Sequence, residues 1–278
     1  MLGKLIGHEF RQSGRTFLPL FGGAAALLLL TKLLLVLNQV FTKVTPVAEG
    51  GEKTQQIVIM AVLSGIFAAV FVLALLALIL ATLLVSVQRF YKLLGDEGYS
   101  MFTLPVTPAQ HIISKTIVAF TWFVSAVVFA YVSGLVMLPA DITGAMWGEL
   151  AKMDGSLWQT LALLVACMLV GIVGALWTVD LSCAIGMHWP QQRLGASILV
   201  YFGLQMAMKI LVLIGTVVAG ILLFNTRLLH LLPSELTTNE MLPLLNIMLA
   251  CMLVLLLIGS ALLFFLTRRI LDKKLNLA

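Results

Sequence analysis

The sequence predicts an all-α polytopic membrane protein with six transmembrane helices. Composition is the first reason: residues AVILMFWYC make up 61% of the 278 positions, against roughly 45–50% apolar in soluble domains even with Gly included. Charged side chains account for only 10%, where about 25% is usual. That is too little ionic surface to keep a body of this size in water, and the mean hydropathy is +1.10. The second reason is six long apolar runs, at about 17–41, 56–88, 112–138, 157–187, 194–224 and 241–267. Each exceeds the roughly 20 residues needed to cross a hydrocarbon core about 30 Å thick. The third is their pattern. They lack two-residue alternation and are too long for barrel strands of about 9–11 residues, which leaves helices as the backbone form that satisfies its own hydrogen bonds in lipid. The chain reads as a single six-span domain over 1–278.

The elements follow in order. In residues 1–16, Leu2, Leu5, Ile6 and Phe10 recur at spacings of three and four, with Lys4, Glu9, Arg11 and Arg15 among them. This is an amphipathic helix suited to the headgroup plane; the same pattern also fits a basic flank that only fixes topology. The apolar run that follows exceeds the 7–15 residues of a signal-peptide core, so an uncleaved anchor is expected. Six spans put both ends of the chain on one side. If that side is cytoplasmic, Lys4, Arg11, Arg15, Arg89, Lys92, Lys115, Arg193, Arg268, Arg269, Lys273 and Lys274 are inside, and Lys43, Lys53, Lys152 and Arg227 are outside. This asymmetry predicts an N-in, C-in protein of the cell membrane. Basic residues sorted by side, rather than gathered in a patch, give no reason to expect nucleic acid as a partner.

The loop 89–111 between spans two and three carries the most chemistry. Gly95 and Gly98 bracket Asp96-Glu97, and Tyr99, Met101, Phe102 and Leu104 follow. Pro105 and Pro108 break any helix, and Thr107 is placed to begin the next one. An apolar cluster rimmed by charge reads as a docking surface; the alternative is an aromatic anchor at the membrane interface. Beyond the fifth span, 225–240 holds Pro233, Glu235 and Glu240, and the sequence fits an ordinary outer loop.

The run RFYKLLGDEGYSMFTLPVTPAQHIISK and the opening LGKLIGHEFRQSGRTFLPLF resemble bacterial ABC exporter permeases of the second type, those of Gram-positive organisms in particular. DLSCAIGMHWPQQRLGAS is a weaker match, and Trp189-Pro190-Gln191-Gln192 stands where a lysine-rich turn is expected. The resemblance implies that two permeases pair, as a homodimer or with a paralogue, and that each docks on a cytoplasmic ATPase holding ATP and magnesium. It implies an N-terminal elbow helix with Lys4, Phe10, Arg11 and Arg15. It also implies a cytoplasmic coupling helix between spans two and three, carried here by Asp96, Glu97, Gly98, Tyr99, Met101, Phe102 and Leu104, with Arg89 at the end of span two. Short re-entrant helices are implied within 225–240.

No G-x-x-x-x-G-K-[ST], H-E-x-x-H or G-x-S-x-G motif occurs, so neither a nucleotide site nor a catalytic or metal constellation is expected on this chain. Cys167, Cys183 and Cys251 lie in apolar runs and read as small buried side chains. Lys32, Asp180 and Lys209 fall within spans; at about 2.5–3.5 kcal/mol each on insertion scales, such residues either line a pathway or snorkel. Helix-depth arithmetic disfavours an Asp180–Lys209 bond. Gly171 with Ala175, and Gly215 with Ala219, offer close helix contacts. The expected function is the permease of an ATP-driven exporter. The competing readings are an ion-coupled secondary transporter using Lys32, Asp180 or Lys209, and a membrane scaffold or intramembrane enzyme.

Overall fold

The computed structural model describes residues 2–44, 51–94, 107–189, 191–225 and 238–275. Among them are seven helices: α1 (Leu2–Val44), α2 (Gly51–Leu94), α3 (Pro108–Met137), α4 (Ala140–Ala151), α5 (Gly155–Gly186), α6 (Arg193–Asn225) and α7 (Thr238–Leu275). All but α4 are long and apolar enough to cross a membrane, which gives the six-span, multi-pass architecture. At 43 and 44 residues, α1 and α2 are each about 65 Å long at 1.5 Å per residue, roughly twice the thickness of a hydrocarbon core. Chain contacts group the molecule into two compact units, Met1–Ser86 with Ile117–Gly148, and Val87–Thr116 with Glu149–Ala278.

In the first unit, residues 2–16 are helical and continue into the first span without a break, through Pro19. Lys4, Arg11 and Arg15 are exposed and Leu2, Leu5, Ile6 and Phe10 are half-buried, the division an amphipathic segment makes. Glu9, grouped by sequence with the polar positions, is buried instead, because it shares a stripe with Ser13 and Phe17. That stripe meets Trp122 of α3. The Trp122 indole N–H donates to Ser13 Oγ at 3.0 Å, Phe17 stacks on the ring at 4.8 Å, and Phe10 and Phe21 approach it at 6.3 and 5.9 Å. Farther along, Ala24 and Thr31 continue the buried stripe at seven-residue spacing, and on α2 Ser64, Phe71 and Leu78 repeat it. This is the period that keeps a helix seam on one face. Asn38 Nδ2 donates to Ser64 Oγ at 3.5 Å.

Buried hydroxyls are satisfied within their own helices, as a medium without water requires. Thr31 donates to the Leu27 carbonyl at 2.7 Å, Thr82 to Ile79 at 2.6 Å and Ser133 to Ala130 at 2.8 Å. Among the described side chains, exposed large apolar residues on α1 begin at Leu18 and on α2 the last is Leu84. These limits fall within the first two spans read from the sequence. Helix α4 was missed in that reading although Pro139 and Asp141 are helix-start signals. It buries no residue and exposes Ile142, Met146 and Trp147 on one face.

The second unit is organised around α5, which packs on α7 and α6. The helices α5 and α7 run in the same direction: Thr160 Oγ1 lies 2.7 Å from Asn246 Oδ1, Cys167 Sγ 3.6 Å from the Leu249 carbonyl, and Trp177 and Phe264 rings are 5.2 Å apart. Cys167 and Cys183 are buried, whereas Cys251 lies on an exposed face; the expectation of three buried cysteines is corrected at that position, where α7 turns outward. Closest approach occurs where α5 ends and α6 begins. A Cβ at Gly186 would overlap Ser197 Oγ and reach that residue's Cα and N at 2.8 Å. Gly186→Ala is therefore expected to destabilise by about 1–3 kcal/mol through overpacking, outweighing the roughly 1 kcal/mol that Ala gains over Gly in a helix. Gly171→Ala, where a Cβ meets nothing within 4 Å, is expected to be neutral or stabilising; thermal unfolding of both variants in detergent checks the contrast.

Candidate functional site

The richest constellation in the second unit flanks the loop between α2 and α3. Two helix ends tie that loop down. On α3, Thr107 acts as the N-cap and Pro108 as the first helical residue, a position where the missing N–H costs nothing. The Gln110 and His111 amides donate to the Thr107 carbonyl at 2.9 and 3.3 Å, and the Thr107 N–H donates back to Gln110 Oε1 at 3.3 Å, the return half of a capping box. On α2, Val87, Phe90 and Tyr91 lie on one face of the last turns.

These two ends are fixed to the ends of two other spans. Phe90, Ile112, Cys183 and Leu271 form a buried cluster, with Val87, Tyr91, Trp177, Val179 and Phe264 packed around it. Phe90 is 1% exposed and Ile112 0%, so the helices α2, α3, α5 and α7 meet here without solvent between them. A directed bond adds to the packing: the Trp177 indole N–H donates to Thr116 Oγ1 at 3.0 Å, and the Thr116 hydroxyl donates on to the Ile112 carbonyl at 2.9 Å. The α5 segment that enters this layer, Leu176–Gly186, is buried around most of its circumference, including Thr178, Asp180, Leu181, Ser182 and Ala184.

The three in-span ionisable residues have different immediate surroundings. Asp180 lies buried in the packed end of α5, and the cation whose charge acts on it is Lys115 of α3, a residue counted in the sequence only as a topology signal. The visible clue was the polar turn His111, Ser114, Lys115, Thr116 at the start of an otherwise apolar span. Lys209 is exposed and lines a cavity of about 320 Å³ with residues of α5, α6 and α7, among them Gly171, Gly174, Ala175, Gln205 and Ser260. Lys32, half-buried on α1, belongs to the other unit. Among the described residues, no group of three His, Cys, Asp or Glu side chains is placed to hold a metal ion.

Arg89 is half-buried at the end of α2. Asp96, Glu97, Gly98, Tyr99, Met101, Phe102 and Leu104 lie outside the described residues, as does most of 225–240. Lys4, Arg11 and Arg15 point away from the packed face of α1, and Phe10 points into it. Comparison with protein-family models, curated proteins and solved structures gives no match.

The action of the Lys115 cation on the buried Asp180 carboxyl sets up a measurable coupling. Lys115→Gln removes the one cation whose charge acts on the buried Asp180 carboxyl and is expected to lower stability; adding Asp180→Asn is expected to recover part of that loss. A coupling of about 0.5–3 kcal/mol is the usual range for interacting neighbours, and a double-mutant cycle on thermal or denaturant unfolding reads it.

Proposed function

We propose that this chain is the membrane permease subunit of an ATP-driven exporter of the second ABC type, moving a substrate outward with energy supplied by a separate cytoplasmic ATPase. The observation that carries the reading is the joint packing of Phe90, Ile112, Cys183 and Leu271. The two helix ends that hold the 95–106 loop are locked to the ends of two further spans. A force applied to the loop would therefore reach α2, α3, α5 and α7 together rather than bend one helix. A dense, close-packed contact transmits displacement because its side chains have no voids to collapse into.

In this reading the loop lies on the cytoplasmic face, as the distribution of basic residues indicates, and Asp96 to Leu104 form the coupling helix seated on the ATPase. Residues 2–16 act as the elbow: Lys4, Arg11 and Arg15 remain available to lipid headgroups while Phe10 and Ser13 hold the segment to Trp122. A second permease, identical or paralogous, completes the membrane half. ATP and magnesium are held by the ATPase, since this chain carries no phosphate-binding loop. Within the second unit, Asp180 is buried and Lys209 exposed, which gives no support to a shared ion site of these two residues for a secondary carrier.

Co-purification of the tagged chain with a cytoplasmic ABC ATPase from its native cells tests the proposal. The wild-type chain is expected to retain the ATPase, and scrambling Glu97 to Phe102 is expected to abolish retention while leaving the elution profile of the permease unchanged. Retained binding after scrambling, or transport in liposomes driven by an ion gradient without ATP, would overturn it.

A further inference from the structure

The cavity beside Lys209 carries an inference independent of the exporter reading. Its lining comes from three helices over about two turns each, Val170–Thr178 on α5, Gln205–Val212 on α6 and Leu256–Leu263 on α7, a length of roughly 11–12 Å at 1.5 Å per residue. Small residues create the space: Gly171, Gly174 and Ala175 line it, and a Cβ added at Gly171 would meet nothing within 4 Å. The volume, about 320 Å³, is at the lower end of small-ligand pockets, and its walls are mainly apolar. The groove lies on a part of α6 whose neighbouring side chains Met206, Ile210 and Leu213 are exposed, so it opens toward the bilayer.

The polar groups in the lining are spoken for, with one exception. The Thr178 hydroxyl donates to the Gly174 carbonyl at 2.7 Å, the Ser260 hydroxyl to the Leu257 carbonyl at 3.0 Å, and Gln205 Nε2 to the Tyr201 hydroxyl at 3.2 Å. Lys209 has no hydrogen-bond or ion-pair partner among the described residues, and no acidic side chain lines the groove. A cation in a span is costly unless an anion or water meets it. Lys209 lies 15 residues beyond Leu194, about 22 Å along the helix from the end that adjoins the Gly186–Ser197 contact. A lysine side chain directed away from that end reaches the headgroups of the far leaflet.

We propose that this groove binds an acidic phospholipid of that far leaflet, with the anionic headgroup on Lys209 and an acyl chain lying between α5, α6 and α7. An apolar channel two helical turns long takes the headgroup-proximal part of a hydrocarbon chain, and the one uncompensated charge matches a phosphate. Peptides and neutral drugs answer to the first feature and not to the second.

The test uses the full chain reconstituted in nanodiscs of equimolar phosphatidylglycerol and phosphatidylcholine, with the retained lipids counted by native mass spectrometry. Wild type is expected to enrich phosphatidylglycerol about fivefold, the ratio that corresponds to about 1 kcal/mol for one basic side chain at an anionic lipid surface. Lys209→Gln is expected to bring the ratio to near unity, Lys209→Arg to keep it, and Lys32→Gln to leave it unchanged, all with wild-type elution. Equal retention of the two lipids by wild type, or an undiminished preference in Lys209→Gln, overturns the proposal. So does full release of the lipid by inorganic phosphate alone, which would mark a free-anion site. Cross-linking of two copies through Ala175 with no lipid retained would make the groove a dimer face and overturn it as well. Because none of these measurements involves the ATPase, failure here and failure of the exporter reading are separate results.

Discussion

In hydrocarbon, one apolar helix face gains no more from another than from lipid, so association depends on close packing and on polar side chains that find partners. The second unit of this protein meets that condition at the last third of α5. Leu176–Gly186 is surrounded on nearly every side, Gly186 lets the backbone of α6 approach at Ser197, and Thr116 gives Trp177 its hydrogen-bond acceptor. The flanks of the α2–α3 loop have a fixed position because they pack against this segment. Loosening α5 there would detach Phe90 and Ile112 from Cys183 and Leu271 at once.

This arrangement gives the proposed coupling role a physical basis that a docking motif by itself lacks. A loop between two independent helices would absorb a push by bending. Here α3 begins at a capping box and α2 buries Phe90 one turn before its end, so both flanks of the loop are anchored. The first unit provides a different kind of hold. Trp122 takes Phe10, Ser13, Phe17 and Phe21 along about three turns of α1, and this joins the amphipathic N-terminal segment to a span instead of leaving it on the surface. The continuous helix through Pro19 follows from that contact, since packing on both sides of a proline offsets the one hydrogen bond it removes.

The in-span charges illustrate how three residues in apolar runs acquire different surroundings. Asp180 sits within the tight layer and answers to Lys115. Lys209 borders a groove lined by small residues, where a Cβ at Gly171 would meet no neighbour. Lys32 lies in the other unit. Local sequence is alike for all three, each a single charge in an apolar run, so the difference arises from which helices come alongside.

By itself, the sequence determined that this is a membrane-spanning, all-helical chain and set the number of crossings, because lipid permits few backbone arrangements and run length reports directly on bilayer thickness. It also marked the loop between spans two and three and the start of α3 at Thr107, since caps and prolines act locally. Tertiary structure decided the rest. It buried Glu9 on the stripe with Ser13, set Asp180 within the field of Lys115, added α4, turned Cys251 outward and opened the groove at Lys209. These depend on pairings between residues far apart in the chain, which periodicity along one helix cannot specify.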